Sequence, residues 1–496
     1  MGLIQRDSFR ITLISYSGAA IGYFNKVFLF TNFLTTDQVG LANLLITLSM
    51  VYAQIAAMGS HNIVLRFFPF FRQKQGDHQG FLFAVTALSL AGFALITMLF
   101  LVFSKPFTLF YQDSSPLLVE YAVYLIPLAL ATTLYLLFES YLRSLYKNIL
   151  PSFVHEWGLR ILTTLTILAY ALGWISFPGF VFLYVLVHCI PPLILIVYTA
   201  LAGHLNIKPV RSPLLNRLGK LMLVYGLFSL LNNLGLFLLI SIDGMMVAGM
   251  IDLHATGIYT TMIFIASVML IPYRSMIKVS GPVVAGYWKE KAMGQLNEVY
   301  KKATAGNLVI GALLFTLLWA NLDNLFFFMP GEYQQGQVVF LLLGLGKFFD
   351  MVSGLNGVIL LTSKKYRFDL VFTIGLVVFA IITNIILIPI LGINGAAMAS
   401  MLTLVFFNLA RILFIHHHYK LQPFVLKQLW VPLIMAAAML GSYFMTRADS
   451  VWLDIIIRSL AMVIVVSIPL YLLKISPELN NLTLRVLDTL TKRIRS

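Results

Sequence analysis

The chain has 496 residues, 60% of them hydrophobic and only 11% charged, with a formal charge of +15 and a mean hydropathy of +0.90. Soluble domains carry about 25% charged residues, so a cytosolic globular enzyme is excluded and a polytopic membrane protein is indicated. The single cysteine, Cys189, excludes an intramolecular disulfide and leaves too few thiols for a zinc or iron–sulfur site.

A bilayer core of about 30 Å takes roughly 20 apolar residues per helix. Fourteen windows of that length follow one another along the chain: 11–34, 39–60, 79–103, 117–140, 153–174, 178–200, 220–242, 255–280, 305–328, 337–361, 368–391, 394–415, 430–446 and 452–473. The expected fold is all-α and polytopic. No cleavable signal peptide is expected, because the first apolar run is too long and polar and lacks a small-residue cleavage site.

Lys and Arg accumulate in short cytoplasmic loops, and alternate loops here differ sharply. One set holds Arg6 and Arg10; Arg66, Arg72 and Lys74; Arg143 and Lys147; Lys208, Arg211, Arg217 and Lys220. It continues with Arg274, Lys278, Lys289, Lys291, Lys301 and Lys302; Lys364, Lys365 and Arg367; and Arg411, Lys420 and Lys427. The tail adds Lys474, Arg485, Lys492, Arg493 and Arg495, whereas only Lys105 and Arg447 fall on the opposite side. Both termini are therefore expected in the cytoplasm. The basic excess reads as topology plus attraction to anionic headgroups rather than to nucleic acid. The sequon Asn481-Leu482-Thr483 falls on the cytoplasmic tail and reads as chance.

Transporters are often built from duplicated helix sets. LTTDQVGLANLLITL, with Asp37 and Gly40, and MIDLHATGIYTTMIF, with Gly257, align at an offset of 217 residues, which carries the first six windows close to windows seven to twelve. Two parallel six-helix lobes related by a pseudo-twofold axis follow, around a central cavity. The division is an N-terminal lobe at 1–204, a cytoplasmic linker at 205–219, a C-terminal lobe at 220–418, two appended helices at 419–474 and a cytoplasmic tail at 475–496.

A charge at helix-centre depth costs roughly 3 kcal/mol and needs a partner, water or a route to the interface. Lys26, Arg160, Lys347 and Arg458 fall within windows. Glu139 and Arg143, Glu156 and Arg160, and Asp454 and Arg458 stand at i,i+4, and Lys347 and Asp350 at i,i+3, the spacings of self-neutralised pairs. The first two pairs flank one cytoplasmic loop, where a latch or a headgroup contact is the alternative. Lys26 and Asp243 have no such partner and are equivalents under the 217-residue offset. They are expected to line the outer half of the cavity and to pair when it closes outward, against the plainer reading of a snorkelling lysine and a helix-end acid.

Gly18 and Gly22 form a small-xxx-small face suited to close packing. Pro127, Pro191, Pro192, Pro272, Pro432 and Pro469 lie within windows and permit kinks. His416, His417 and His418 point about 100° apart in a helix and do not converge on one ion, so no metal is expected. Residues 288–302, WKEKAMGQLNEVYKK, read as a short amphipathic surface segment. No Walker motif or Gly-rich nucleotide turn is present, and no cofactor is implied.

Three stretches carry a resemblance: LTTDQVGLANLLITLSMVYAQIAAMGSHNIVLRFFPFFR, IDGMMVAGMIDLHATGIYTTMIFIASVMLIPYRSMIKVSGPVVAGYW and LGINGAAMASMLTLVFFNLARILFI. With Asp37 and Gly40, then Asp243, Gly257 and Tyr259, then Pro282, the chain resembles the oligosaccharide and polysaccharide flippases of the multidrug/oligosaccharidyl-lipid/polysaccharide exporter superfamily. The resemblance implies alternating access and an undecaprenyl-pyrophosphate-linked oligosaccharide turned to the outer leaflet of a bacterial inner membrane. A pyrophosphate needs cationic donors, for which Lys26, Arg66, Arg160, Arg274 and Lys347 are the candidates, with Asp243 and Asp350 as acids coupling to a proton or sodium gradient or acting as a gate. A lipid II flippase and a multidrug antiporter of the same superfamily are the alternatives. A polytopic glycosyltransferase or polymerase is disfavoured by short outer loops with scattered single acids, Asp113, Asp323, Glu332 and Asp449.

Overall fold

The computed structural model describes residues 3–73, 78–206, 210 and 212–480, without the side chains of residues 3–10 and 12. Lys74, Lys208, Pro209, Arg211, the Asn481 sequon and the basic tail residues from Arg485 onward lie outside the described residues, as do the side chains of Arg6 and Arg10.

Each of the fourteen windows falls on helix. In chain order these are α1 (Leu3–Tyr23), continuing through a π-helical turn Phe24–Leu29 into Phe30–Phe33; α2 (Thr36–Ala56); α3 (Ser60–Phe71); α4 (Phe81–Val102); and α5 (Leu125–Ser144), preceded by Pro116–Tyr121. Then come Ile149–Phe153, a second π-helical turn Val154–Gly158 and α6 (Leu159–Ala171); α7 (Phe177–Leu201); α8 (Pro213–Met250); α9 (Leu253–Ser267); and α10 (Leu270–Glu290). Next are α11 (Met293–Ala320), α12 (Gln337–Val352), α13 (Asn356–Thr362), α14 (Arg367–Leu391), α15 (Ile393–Tyr419), α16 (Trp430–Tyr443) and α17 (Val451–Leu472).

Among the described residues, ten helices are long and apolar enough to span a bilayer, or eleven when α9 and α10 count as one span bent by 53°. The expectation of fourteen exceeds this by three windows. Two of the three are interrupted by the π turns, and the third, α16, has 14 residues. The bend between α9 and α10 has a sequence cause: the ring of Pro272 excludes the carbonyl four residues earlier, at Val268, where the helix breaks. Pro191 and Pro192, by contrast, lie inside the continuous α7. The stretch 288–302, read as an amphipathic surface segment, forms a corner: α10 ends at Glu290, Lys291 takes a left-handed conformation at φ 58°, and α11 starts at Met293.

The helices cluster into two compact units, Met1–Thr261 and Met262–Ser496. In the first, α5 is central, packing against α2, α3 and α7, while α8 lies on α2 and α3. Its cores join Phe30, Leu41, Leu44, Phe180 and Tyr184, and separately Phe68, Phe71, Phe81 and Tyr141, with the Phe68 and Tyr141 rings edge-on at 5.3 Å. In the second unit α15 packs on α12 and α14, and α11 carries α16 and α17. Helix α14 turns Val371, Ile374, Val378, Ile382 and Ile385 outward, all exposed. An apolar face of that extent is a lipid-facing surface. The chain is a multi-pass membrane protein.

The 217-residue offset holds at the level of helix caps. Helix α2 starts at Thr36 and α9 at Leu253, their N-caps are Thr35 and Asp252, and each cap oxygen accepts from the backbone three residues on, Gln38 N at 3.3 Å and Ala255 N at 2.6 Å.

Candidate functional site

The two π turns pack against each other's helices and carry the first group of candidate residues. A π turn inserts one residue into the helical ladder and re-aims the side chains around it. Asn25, buried in the first turn, donates from Nδ2 to the Arg160 carbonyl at 2.9 Å and accepts at Oδ1 from Thr164 Oγ1 at 2.8 Å. Trp157, in the second turn, donates to Ser17 Oγ at 3.0 Å. Gly18 and Gly22 permit this approach. A Cβ at Gly18 would stand 2.6 Å from the Glu156 carbonyl oxygen, and one at Gly22 would stand 3.0 Å from the Arg160 guanidinium.

This frame places Arg160 Nη2 2.6 Å from Glu156 Oε2 and leaves Arg160 Nη1 buried with no hydrogen-bond partner among the described residues. The i,i+4 pairing is as expected, and the guanidinium still has a donor to offer an anion. The other early pair, Glu139 with Arg143, is looser at 3.7 Å. Lys26 projects from the first π turn, its ammonium 4.3 Å from the Phe30 ring centroid and 5.9 Å from that of Tyr184. Its hydrogen bond runs to Asn43 Oδ1 on α2. Asp243, its equivalent under the offset, is buried on α8. Arg66 is exposed on α3, stacked 4.3 Å over the Tyr225 ring.

Residues related by the offset touch one another. Asn43 Nδ2 donates to Thr260 Oγ1 at 2.9 Å, and Asp37 Oδ2 lies 3.9 Å from His254 Nδ1. A Cβ at Gly40 would collide with the Leu253 carbonyl, and one at Gly257 would collide with the equivalent Thr36 carbonyl. These reciprocal contacts join α2 to the start of α9 within the first unit.

In the second unit Asp350 lies within electrostatic reach of Arg411, Lys347 and Arg274. Asp350 Oδ1 accepts from Asn408 Nδ2 at 2.9 Å, and Asn408 Oδ1 accepts from Asn356 Nδ2 at 2.8 Å. Arg411 corrects the sequence reading, which counted it among the loop charges. It is buried inside α15, its Nη2 donates to Asp369 Oδ1 on α14, and its guanidinium lies 3.8 Å from the Phe407 ring centroid. Asp369 was not singled out in the sequence. The signal was present in outline, since an Arg two turns before a helix end needs a carboxylate on a neighbouring helix.

The Asp454–Arg458 pair behaves as structural. Asp454 also accepts from Asn324 and from the Ala448 backbone, and Arg458 donates to the carbonyls of Ser442 and Met445, closing the α16–α17 turn. His416, His417 and His418 are exposed on the last turn of α15. No group of three His, Cys, Asp or Glu able to hold a metal occurs among the described residues.

No protein-family profile matches the chain, and no curated protein matches it in sequence. Solved structures do match its fold. A lipid II flippase, MurJ, in an inward closed conformation aligns over 93% of this chain and 98% of its own, with a TM-score of 0.70 and 14% identity. An inward-facing multidrug resistance MATE family transporter of the MOP superfamily aligns over 85% and 94%, with a TM-score of 0.58 and 14% identity. A MATE transporter from Vibrio cholerae aligns over 84% and 98%, with a TM-score of 0.53 and 12% identity. The chain therefore has the fold these transporters share.

Proposed function

We propose, from this transporter fold, that the protein is a flippase of the bacterial inner membrane. It carries an undecaprenyl-pyrophosphate-linked oligosaccharide from the cytoplasmic to the outer leaflet by alternating access, with both termini in the cytoplasm. The observation that carries the reading is a set of cationic side chains on helices, with one buried guanidinium donor of Arg160 left unpartnered among the described residues, in a fold shared with a lipid II flippase. Lys26 and Arg160 in one unit, and Arg274, Lys347 and Arg411 in the other, lie on helices, and Arg160 Nη1 is buried with no hydrogen-bond partner among the described residues. A diphosphate needs such charge-assisted donors to leave water, while its polyprenyl tail stays in hydrocarbon. Arg66, stacked and exposed, suits a headgroup approaching from the inner side. Asp350, and Asp243 on α8, are the acids available to couple to a cation gradient or to act as a gate.

The division into lobes at 1–204 and 220–418, with a linker at 205–219, appended helices at 419–474 and a tail at 475–496, is part of this proposal. Lipid II is the second reading for the cargo, favoured by the TM-score of 0.70 to a flippase of that substrate. A multidrug cation as cargo fits the cationic helix interior poorly. The test is leaflet exchange in proteoliposomes with a fluorescent undecaprenyl-pyrophosphate oligosaccharide, with lipid II in a parallel arm. Exchange of the first but not the second supports the reading, and the reverse selects lipid II.

A further inference from the structure

We infer that Asn43 is a positioning residue that couples Lys26 to the contact between α2 and α9, so that an anion captured by Lys26 releases that contact. The inference deepens the diphosphate-lipid reading and rests on it for the identity of the anion. Its basis is a hydrogen-bond chain whose direction is fixed at both ends. The Lys26 ammonium has only donors, so it must face the oxygen of the Asn43 amide, as it does. That orientation turns Asn43 Nδ2 toward Thr260 Oγ1 at 2.9 Å, and the Thr260 hydroxyl hydrogen is spent on the Thr256 carbonyl at 2.8 Å, leaving an oxygen lone pair for Asn43. The ammonium therefore sets the amide, and the amide bridges α2 and α9.

The contact it bridges also holds close backbone approach and the packing of Leu253 into the core with Val39 and Leu41. Gly40 meets the Leu253 carbonyl and Gly257 the Thr36 carbonyl, and the neighbouring Asp37 and His254 side chains are separated by 3.9 Å and half-exposed. Lys26 is also flanked by the Phe30 and Tyr184 rings, which leave it half-buried and able to turn toward a ligand without dragging a carboxylate with it. An anion that draws the ammonium off Oδ1 removes the interaction that orients the amide. The bridge across α2 and α9 then weakens by about one buried hydrogen bond, a factor of about five in its population.

The contact can be read by cross-linking. In a full-length C189S background, Asp37→Cys and His254→Cys are joined by a short bis-methanethiosulfonate reagent in nanodiscs, and the rate is followed. Asn43→Ala, Thr260→Val and Lys26→Met should each slow the reaction about fivefold, and the Asn43→Ala/Thr260→Val double variant no further than either single. Undecaprenyl pyrophosphate should slow it in the parent and leave Lys26→Met unchanged. Unaltered rates in the three single variants, or additive effects in the double, overturn the coupling, as does a parent rate unmoved by undecaprenyl pyrophosphate that is shown to bind. If the lipid does not bind at all, the cargo reading fails instead, and the three variants still decide whether the relay exists. Circular dichroism and thermal unfolding of each variant exclude misfolding as the cause of a slow rate.

Discussion

Replacing Asp369 by Asn removes half of a buried ion pair while keeping the shape of the side chain. Asp369 is 7% and Arg411 9% exposed, so neither charge can turn to water when its partner is lost. Breaking a buried pair costs about 3–5 kcal/mol because the remaining charge is uncompensated. The Phe407 ring centroid, 3.8 Å from the guanidinium, faces it with or without the carboxylate and does not reduce this loss. The control is Arg447 with Asp323, an ion pair of 2.7 Å whose side chains are 69% and 50% exposed. Screened by solvent and free to reorient, it contributes under about 1 kcal/mol. Unfolding by dodecyl sulfate in mixed micelles, followed by circular dichroism, measures both, and an Asp369→Asn/Arg411→Gln double-mutant cycle isolates the coupling. A loss at Asp369→Asn no larger than at Asp323→Asn would refute the argument, since burial is the only feature that ranks the two pairs in this order.

Gly18→Val should lower stability by about 1–3 kcal/mol through overpacking, because its first side-chain carbon would stand 2.6 Å from the Glu156 carbonyl; yield and unfolding midpoint report it. Asn25→Leu cannot bridge the Arg160 carbonyl and Thr164, and should reduce leaflet exchange about tenfold through misplacement of Arg160, with the helical content unchanged. If Lys26 and Asp243 pair in another state of the transport cycle, the Lys26→Asp/Asp243→Lys double variant transports better than either single. A double no better than the singles removes that pairing. Single cysteines at Arg143 and Lys365 should react with a membrane-impermeant maleimide only from the cytoplasmic side, and one at Asp113 only from the opposite side. The reverse pattern would invert the orientation drawn from the loop charges.

The helical architecture was legible because hydropathy reports burial in lipid over about 20 residues, whatever the tertiary contacts. The i,i+4 pairs were legible for a similar reason: Glu156 with Arg160 and Asp454 with Arg458 meet through helix geometry alone. The π turns were not, since Phe24–Leu29 and Val154–Gly158 differ from ordinary helix by one inserted residue that leaves no hydrophobic period to read. Their effect is large, because they bring Asn25 and Arg160 together and shorten two regular spans. Arg411 was misread because a charge near the end of an apolar run looks like a loop residue until a partner such as Asp369, on another helix, is seen to bury it. The contact between α2 and α9 is the intermediate case. Gly40 and Gly257 fixed the 217-residue offset, but the offset relates equivalents without saying which of them touch. Asn43 with Thr260 and Asp37 with His254 became visible only once α2 and α9 lay side by side.

The central claim is that cationic groups inside the helices carry a diphosphate-linked lipid across the bilayer. Its most direct measurement is the exchange rate of fluorescent undecaprenyl-pyrophosphate oligosaccharide in proteoliposomes, compared between the parent protein and a Lys26→Met/Arg160→Gln variant that retains its fold. Exchange well above empty vesicles, reduced at least tenfold in the variant, is the expected result. Exchange in the parent equal to that of empty vesicles beside an active control flippase, or undiminished in the variant, would contradict it.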